Sequence, residues 1–135
     1  MNEAMQEAPV STTYKENMEQ YFKTHDLQYV ADDAVFINMS SGERTEGKEA
    51  IGNMLNFMYR IAFDAHANIV NTIITRDKAL LEAEFKGKHI GEFAGMQPTH
   101  KEVNVPLAVS YDLEDGLVKV ARIYMLEAVM IKQLV

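Results

Sequence analysis

The sequence predicts an α+β fold in which helices come first and antiparallel strands follow. Two observations carry this prediction. Apolar residues recur with helical spacing between about residues 13 and 62, and they alternate with polar residues from about residue 65 onward. The chain has 135 residues, which fits one domain, and its 47% apolar and 24% charged residues are typical of a globular protein.

Two long helices are predicted in the first half of the chain. The first runs from Thr13 to Thr24, where apolar side chains share one face and Thr13 has capping-box spacing to Glu16. The second runs from Gly47 to about Ala62 and carries a wide apolar stripe. A short helical stretch from Leu27 to Ala31 precedes the first strand.

Further segments predict strands, because they are rich in β-branched or aromatic residues or alternate apolar with polar side chains. They are residues 34–39, 65–75, 79–89, 103–109 and 117–126. Glu114-Asp115-Gly116 has the composition of a hairpin turn. We therefore expect helices packed against one face of a curved antiparallel sheet.

The start of the chain differs from the rest. It is acidic and has neither a basic segment nor an apolar core of the kind found in signal peptides. We expect residues 1–12 to form a disordered leader and residues 13–135 to form a single domain. The apolar runs are far shorter than the roughly 20 residues that a membrane-spanning helix needs, so we expect a cytoplasmic protein without a membrane partner.

Charge and residue content exclude several classes of function. Thirteen basic and twenty acidic residues give a net charge of −7, which argues against a nucleic-acid partner. The chain contains no cysteine, so disulfides, iron–sulfur clusters and cysteine nucleophiles are excluded. The four histidines lack metal-ligand spacing, and no phosphate-binding or dinucleotide-binding motif is present. We expect neither a metal nor a cofactor.

Residues 87–101, which read G-K-H-I-G-E-F-A-G-M-Q-P-T-H-K, resemble the G-x-H-x-G-x-x-x-G-x-x-P-T-x-K hairpin of SnoaL-like proteins. These proteins form the polyketide-cyclase-like branch of the nuclear-transport-factor-2-like superfamily. Gln133-Leu134 matches a further landmark of the family, and Ala31-Asp32-Asp33-Ala34 is also similar to ketosteroid-isomerase-like proteins. The resemblance implies a cone of strongly curved antiparallel sheet, with N-terminal helices closing an apolar cavity.

The resemblance also shows where this chain departs from its relatives. SnoaL-like cyclases carry a catalytic aspartate seven residues before the glutamine of their last landmark, and this chain has Leu126 there. Glu127 comes one residue later, and in a regular strand it would point to the opposite face, whereas a bulge would bring it back. The proton-shuttling aspartate of ketosteroid-isomerase-like proteins falls on Asn38.

Four polar residues remain as candidates for catalysis. Asn38 would donate a hydrogen bond to a ligand carbonyl, His66 and His89 carry imidazoles suited to general base catalysis, and Tyr124 has a phenolic donor. Structural roles stay open for each of them. Asn38 would equally satisfy buried backbone groups, His66 would be solvated, and His89 would stabilise the hairpin.

The candidate ligand-binding residues are large side chains expected on inward faces, together with one arginine of the last strand. They are Tyr14, Met18, Phe36, Met54, Met58, Leu81, Phe85 and Arg122. Alternation along the last strand leaves two registers open. Either Arg122 and Tyr124 or Ile123 and Met125 line the cavity.

These residues lead to an expected function. The protein would bind a hydrophobic, oxygenated small molecule and act as an isomerase, cyclase or dehydratase without a cofactor. The alternative is a non-catalytic binding or accessory protein that keeps the cavity without the base. The resemblance further implies a homodimer formed through the outer face of the sheet.

Overall fold

The computed structural model describes residues 7–135, with side chains from Thr13 onward, and within this range the chain forms three α-helices and one six-stranded sheet. The helices are α1 (Glu7–Thr24), α2 (Lys48–Asn56) and α3 (Glu127–Leu134). The strands are β1 (Val30–Asn38), β2 (Arg44–Glu46), β3 (Phe63–Ile74), β4 (Lys78–His89), β5 (Glu102–Glu114) and β6 (Leu117–Met125). The predicted α+β class is confirmed.

Several boundaries differ from the prediction. Helix α1 begins at Glu7 rather than Thr13, and residues 1–6 of the predicted leader lie outside the described residues. Helix α2 is shorter than expected, because the chain continues from Phe57 to Ile61 as a single π-helical turn. Strand β2 and helix α3 were not predicted, since three residues carry no periodicity and the C-terminal segment shows no clear polar face.

The strand order in the sheet is β2-β1-β6-β5-β4-β3. Strands β3 to β6 form an antiparallel meander, as expected, but β1 runs parallel to β6. These two strands are distant in sequence, so no short hairpin forces them to be antiparallel. The parallel register pairs Asn38 with Ile123, and the carboxyl ends of both strands therefore meet at one edge.

The π-helical turn is held over the sheet by the end of strand β4. The carbonyl oxygen of Ala62 accepts hydrogen bonds from the backbone N–H groups of Ile90, at 2.9 Å, and Gly91, at 3.0 Å. A side chain at Gly91 would collide with the carbonyl of Ile61, which explains a glycine there. The turn thus closes one side of the concave face.

Helix α3 follows β6 and bonds to the backbone of β5 through one side chain. The side-chain amide of Gln133 accepts a hydrogen bond from the backbone N–H of Asn104 at 2.8 Å and donates one to its carbonyl oxygen at 2.9 Å. It therefore replaces a neighbouring strand for one residue of β5. Leu134 and Met130 are buried, which anchors the helix on the core. No helix in the described part of the chain is long and apolar enough to cross a membrane.

Close packing between β3 and β4 depends on Gly87. A Cβ atom at this position would overlap the carbonyl of Asp64 and the side chain of Ala65. We expect Gly87→Ala to lower the free energy of unfolding by about 3 kcal/mol, because backbone must move to make room. Gly95→Ala is the control: its φ of +79° strains an alanine by about 1 kcal/mol, but no atom lies within 4 Å.

Urea unfolding of the two variants checks this. Equal losses of about 1 kcal/mol in both variants would contradict the argument that contact with β3 requires the glycine.

Candidate functional site

A cavity of about 400 Å³ lies between the concave face of the sheet and the elements that cover it, namely α1, α2 and the π-helical turn. Its floor is apolar and comes from the inward-facing side chains of four strands. These are Phe36, Leu81, Phe85, Leu107, Val109, Ile123 and Met125. The volume is within the range of small-molecule sites, which are usually about 300–1,000 Å³.

The register of strand β6 resolves the alternative left open by the sequence. Ile123 and Met125 line the cavity. Arg122 and Tyr124 therefore lie on the outer face, where Arg122 Nη2 pairs with Asp112 Oδ2 at 3.2 Å and Tyr124 is 47% exposed. Neither of these two predicted site residues reaches the cavity.

An amide and a carboxylate meet where β1 and β6 end. Asn38 Nδ2 donates a hydrogen bond to Glu127 Oε2 at 3.0 Å, and both residues line the cavity. Asn38 Oδ1 accepts a hydrogen bond from the backbone N–H of Ser40 at 2.9 Å, which fixes the amide's orientation. Among the side chains that the structure describes, Glu127 pairs with no lysine or arginine, and its hydrogen-bond partner is Asn38.

The expectation that Glu127 faces away from the cavity is wrong. It assumed a regular strand through this position, but β6 ends at Met125 and Leu126 has φ −80° and ψ 78°. The alternation of a strand therefore stops at Leu126. Leu126 is exposed, and Glu127 begins helix α3 with its side chain at the cavity.

The mouth of the cavity is recognisable from the exposure of its lining. The lining residues are buried or half-buried except for Glu43 and Phe57, which are exposed. Glu43 lies in the turn between β1 and β2. The carbonyl oxygen of Glu43 accepts a hydrogen bond from the backbone N–H of Asn38 at 2.8 Å. Two carboxylates, those of Glu43 and Glu127, therefore accompany Asn38 along the lining, and this part of the cavity is acidic.

A second polar group in the cavity consists of His25 and three tyrosines. His25 follows the last residue of α1 with φ 56°, a left-handed conformation that turns the chain sharply at the end of the helix. Its ring lies 4.8 Å from that of Tyr59 and 5.4 Å from that of Tyr21, centroid to centroid. Tyr21 in turn contacts Tyr111 at 6.1 Å.

Burial determines the protonation of this cluster. It raises the pKa of Tyr59 to about 12 and raises the pKa of Tyr21 and Tyr111 further, so all three phenols stay protonated and can donate hydrogen bonds. Burial, with a smaller contribution from the positive charge of Arg60, lowers the pKa of His25 to about 4. The imidazole is therefore neutral at neutral pH.

Some predicted site residues lie together in this cavity and others do not. Those that line it are Asn38, Phe36, Met54, Met58, Leu81 and Phe85. Met18 is fully buried in the core, Tyr14 lies against the turn at Gly116, and His66 is exposed on β3.

His89 has a structural environment. It is fully buried, and its Nδ1 accepts a hydrogen bond from the backbone N–H of Thr99 at 3.1 Å and lies 3.0 Å from Thr99 Oγ1. These contacts join the two arms of the hairpin outside the cavity. Within the described residues, its Nε2 has no hydrogen-bond partner.

Sequence reasoning did not single out His25, Tyr59 or Tyr111, and it expected Glu127 on the opposite face. Tyr111 had a signal, since it is in phase with the apolar side of β5. His25 had none, because its place in the cavity depends on how α1 ends. In the described part of the chain, no three metal-ligating side chains form a group.

The chain is similar to known proteins in sequence pattern and in fold. A family model described as SnoaL-like polyketide cyclase matches residues 11–134. A protein from Jannaschia sp. CCS1, assigned as a SnoaL-like polyketide cyclase, has a TM-score of 0.81 at 19% identity, over 93% of this chain and 94% of that chain. A ketosteroid isomerase-like fold from Catenulispora acidiphila DSM 44928, crystallised with trimethylamine, has a TM-score of 0.70 at 14% identity, over 90% and 91%.

A third solved structure is similar in extent. IdmH from Streptomyces antibioticus, assigned as a polyketide cyclase, has a TM-score of 0.70 at 20% identity, over 92% of this chain and 97% of that chain. At such identities these likenesses show the fold, and they confirm the expected curved sheet with covering helices. No curated protein sequence matches the chain significantly.

The low pKa of His25 makes stability depend on pH. In the unfolded chain this histidine takes up a proton below pH 6.5, whereas in the folded chain it does so only near pH 4. Stability from this group is therefore present above pH 6.5 and is lost as the pH falls to 4. His25→Asn removes the titration and suits the left-handed conformation. We expect the wild type to lose about 3 kcal/mol more than this variant between pH 7 and pH 4.

Urea unfolding at both pH values measures the difference. His66→Asn, which removes an exposed histidine, is the control and should keep the wild-type pH dependence. An identical pH dependence in the wild type and His25→Asn would contradict the burial argument.

Proposed function

Because the chain belongs to the SnoaL-like polyketide cyclase family, we propose that its cavity binds a hydrophobic, oxygenated small molecule and catalyses an acid–base reaction on it without a cofactor. The reaction would be an isomerisation, a cyclisation or a dehydration. One observation carries the proposal. The carboxylate of Glu127 lies beside the amide of Asn38 in a cavity whose floor is apolar.

Glu127 is the proposed proton acceptor. Its Oε2 is held by Asn38, which leaves Oε1 for a proton of the substrate. Since no cation neutralises the carboxylate among the described side chains, its negative charge is available for proton abstraction. Asn38 acts as a positioning residue, because it fixes Glu127 and is itself fixed by the turn after β1.

The second polar group supplies hydrogen-bond donors. Removing a proton next to a carbonyl leaves an enolate, whose oxygen carries the negative charge and needs a donor. The protonated phenol of Tyr59 and the neutral imidazole of His25 line the same cavity. The proton held by Glu127 then returns to another carbon in an isomerisation. In a cyclisation the enolate carbon attacks a second carbonyl, and the alkoxide formed there takes the proton back from Glu127.

A non-catalytic binding protein is the second candidate, and one observation favours it. Leu126 occupies the position of the family's catalytic aspartate, and its side chain is exposed. In this alternative the cavity binds its ligand and Glu127 only holds the turn through Asn38. Proton abstraction separates the two candidates.

2-Tetralone is a suitable probe, because it is an apolar bicyclic ketone with acidic protons beside the carbonyl. We expect the wild type to accelerate exchange of these protons in D₂O, followed by NMR. Glu127→Gln should reduce that acceleration about a hundredfold or more, because general base catalysis usually contributes about 10²–10⁴. The variant should still bind the ketone, since a glutamine can accept the same hydrogen bond from Asn38.

Glu49→Gln is the matched control, since Glu49 is exposed on α2 and outside the lining of the cavity. A wild type that binds the ketone without accelerating exchange would support the binding protein instead. A wild type that binds no apolar ketone would contradict both candidates.

We also propose that two copies of the chain associate through the outer face of the sheet. Ile73 and Leu80 form a cross-strand pair there with exposures of 62% and 42%. Tyr124 is exposed on the same face, two strands away from Leu80. Exposed apolar side chains clustered on one face favour association.

Light scattering with size-exclusion chromatography tests the dimer. We expect the wild type to have the mass of two chains and Leu80→Glu to have the mass of one, because association would bury a carboxylate of each copy without a partner. Met39→Glu, at an exposed turn after β1, should leave the mass unchanged. A monomeric wild type would contradict the proposal.

A further inference from the structure

A second pocket, of about 310 Å³, adjoins the main cavity. It lies between the end of α1, the π-helical turn and the beginning of β3. Four residues line both spaces and form the wall between them. They are His25, Leu55, Tyr59 and Ala67.

The ionisable side chains that line this second pocket include several basic residues. Lys23, Arg60 and His66 line it together with His25, and no aspartate or glutamate is among its lining residues. This contrasts with the chain as a whole, whose net charge is −7. Among the side chains that the structure describes, neither Lys23 nor Arg60 forms an ion pair.

Arg60 is held in place without a carboxylate. Its Nη1 donates to the carbonyl oxygens of Tyr59 and Ala65, each at 3.1 Å, which ties the guanidinium between the π-helical turn and β3. The N–H groups of Nη2 and Nε are not used by these bonds. A guanidinium fixed in this way can bind a carboxylate or a phosphate oxygen pair with little loss of conformational entropy.

The acidic and the basic regions lie at opposite edges of the sheet. The acidic mouth of the main cavity, with Glu43 and Glu127, lies near the β1–β2 edge of the sheet. The basic pocket lies at β3, the strand at the other edge. A ligand with one anionic end would be repelled at the first edge and attracted at the second.

We propose that the pocket lined by Lys23, Arg60 and His66 binds a carboxylate or phosphate group. The group has two possible sources. It is either a free anion or the anionic end of a molecule whose apolar body enters the main cavity past His25 and Tyr59. The proposal goes beyond the proton-transfer function, because it requires no reaction and does not involve Glu127.

His25 reports on occupancy of the pocket. It faces Tyr21 and Tyr59 in the main cavity and shares the second pocket with Lys23, Arg60 and His66. The positive charge of Arg60 contributes to the low pKa of His25. An anion bound at Arg60 would offset that charge, so the pKa of His25 should rise when the pocket is filled.

Three probes separate the two sources: inorganic phosphate, decyl phosphate and decanol, at constant ionic strength. Calorimetry at pH 7 gives affinity, and NMR of the histidine rings between pH 3 and pH 8 follows His25, since both phosphates stay anionic over that range. A rise in the pKa of His25 with inorganic phosphate but not with decyl phosphate supports a free anion. A rise in this pKa with decyl phosphate but not with inorganic phosphate supports an amphipathic ligand. Overturning results are no rise with either phosphate, or equal affinity for decyl phosphate and decanol.

Variants test the location. We expect Lys23→Gln to weaken binding of the effective phosphate about fivefold and Arg60→Gln to weaken it tenfold or more. Lys132→Gln, which removes an exposed lysine from α3, controls for net charge and should leave the affinity unchanged. An equal loss in all three variants would overturn the proposed site. Glu127→Gln should retain phosphate binding while losing proton exchange, so failure of one proposal is distinguishable from failure of the other.

Discussion

The parallel pairing of β1 with β6 is the constraint on which the candidate site depends. In this register, the backbone N–H of Met39 bonds to the carbonyl oxygen of Ile123 at 2.9 Å, and the two strands end side by side. Asn38 therefore meets Glu127, although 89 residues separate them in the chain. An antiparallel arrangement would place the end of β1 beside the start of β6 and would separate the amide from the carboxylate.

The cavity exists because the concave face is unevenly filled. Small and large side chains alternate along the inner face of β4, where the buried residues Ala79 and Ala83 alternate with Leu81 and Phe85. The covering helices cannot collapse into this space, since α1 rests on Tyr111 through Tyr21 and the π-helical turn is bonded to the end of β4. Close packing at the periphery thus preserves a void at the centre.

Much of this architecture was predictable from the sequence, and two of the exceptions have a common cause. Periodicity identified the inward faces of the strands, and the structure has Phe36, Leu81 and Phe85 in the lining of the cavity. The errors for Glu127 and His25 fall where an element ends. Alternation predicts the direction of a side chain only while the strand continues, so Glu127 was assigned to the wrong side. His25 was overlooked for the same reason, because its position follows from a left-handed residue that ends α1.

The strand order also has a consequence for how the chain folds. Strands β3 to β6 are consecutive in sequence and joined by local connections, so their hairpins can form early at small entropic cost. Strand β1 can pair with β6, its distant partner, only after β6 has been synthesised, and Gln133 can bind β5 later still. Assembly of the amide and carboxylate is therefore a late event. A chain truncated after Met125 would retain the residues of all six strands but would lack the carboxylate of Glu127.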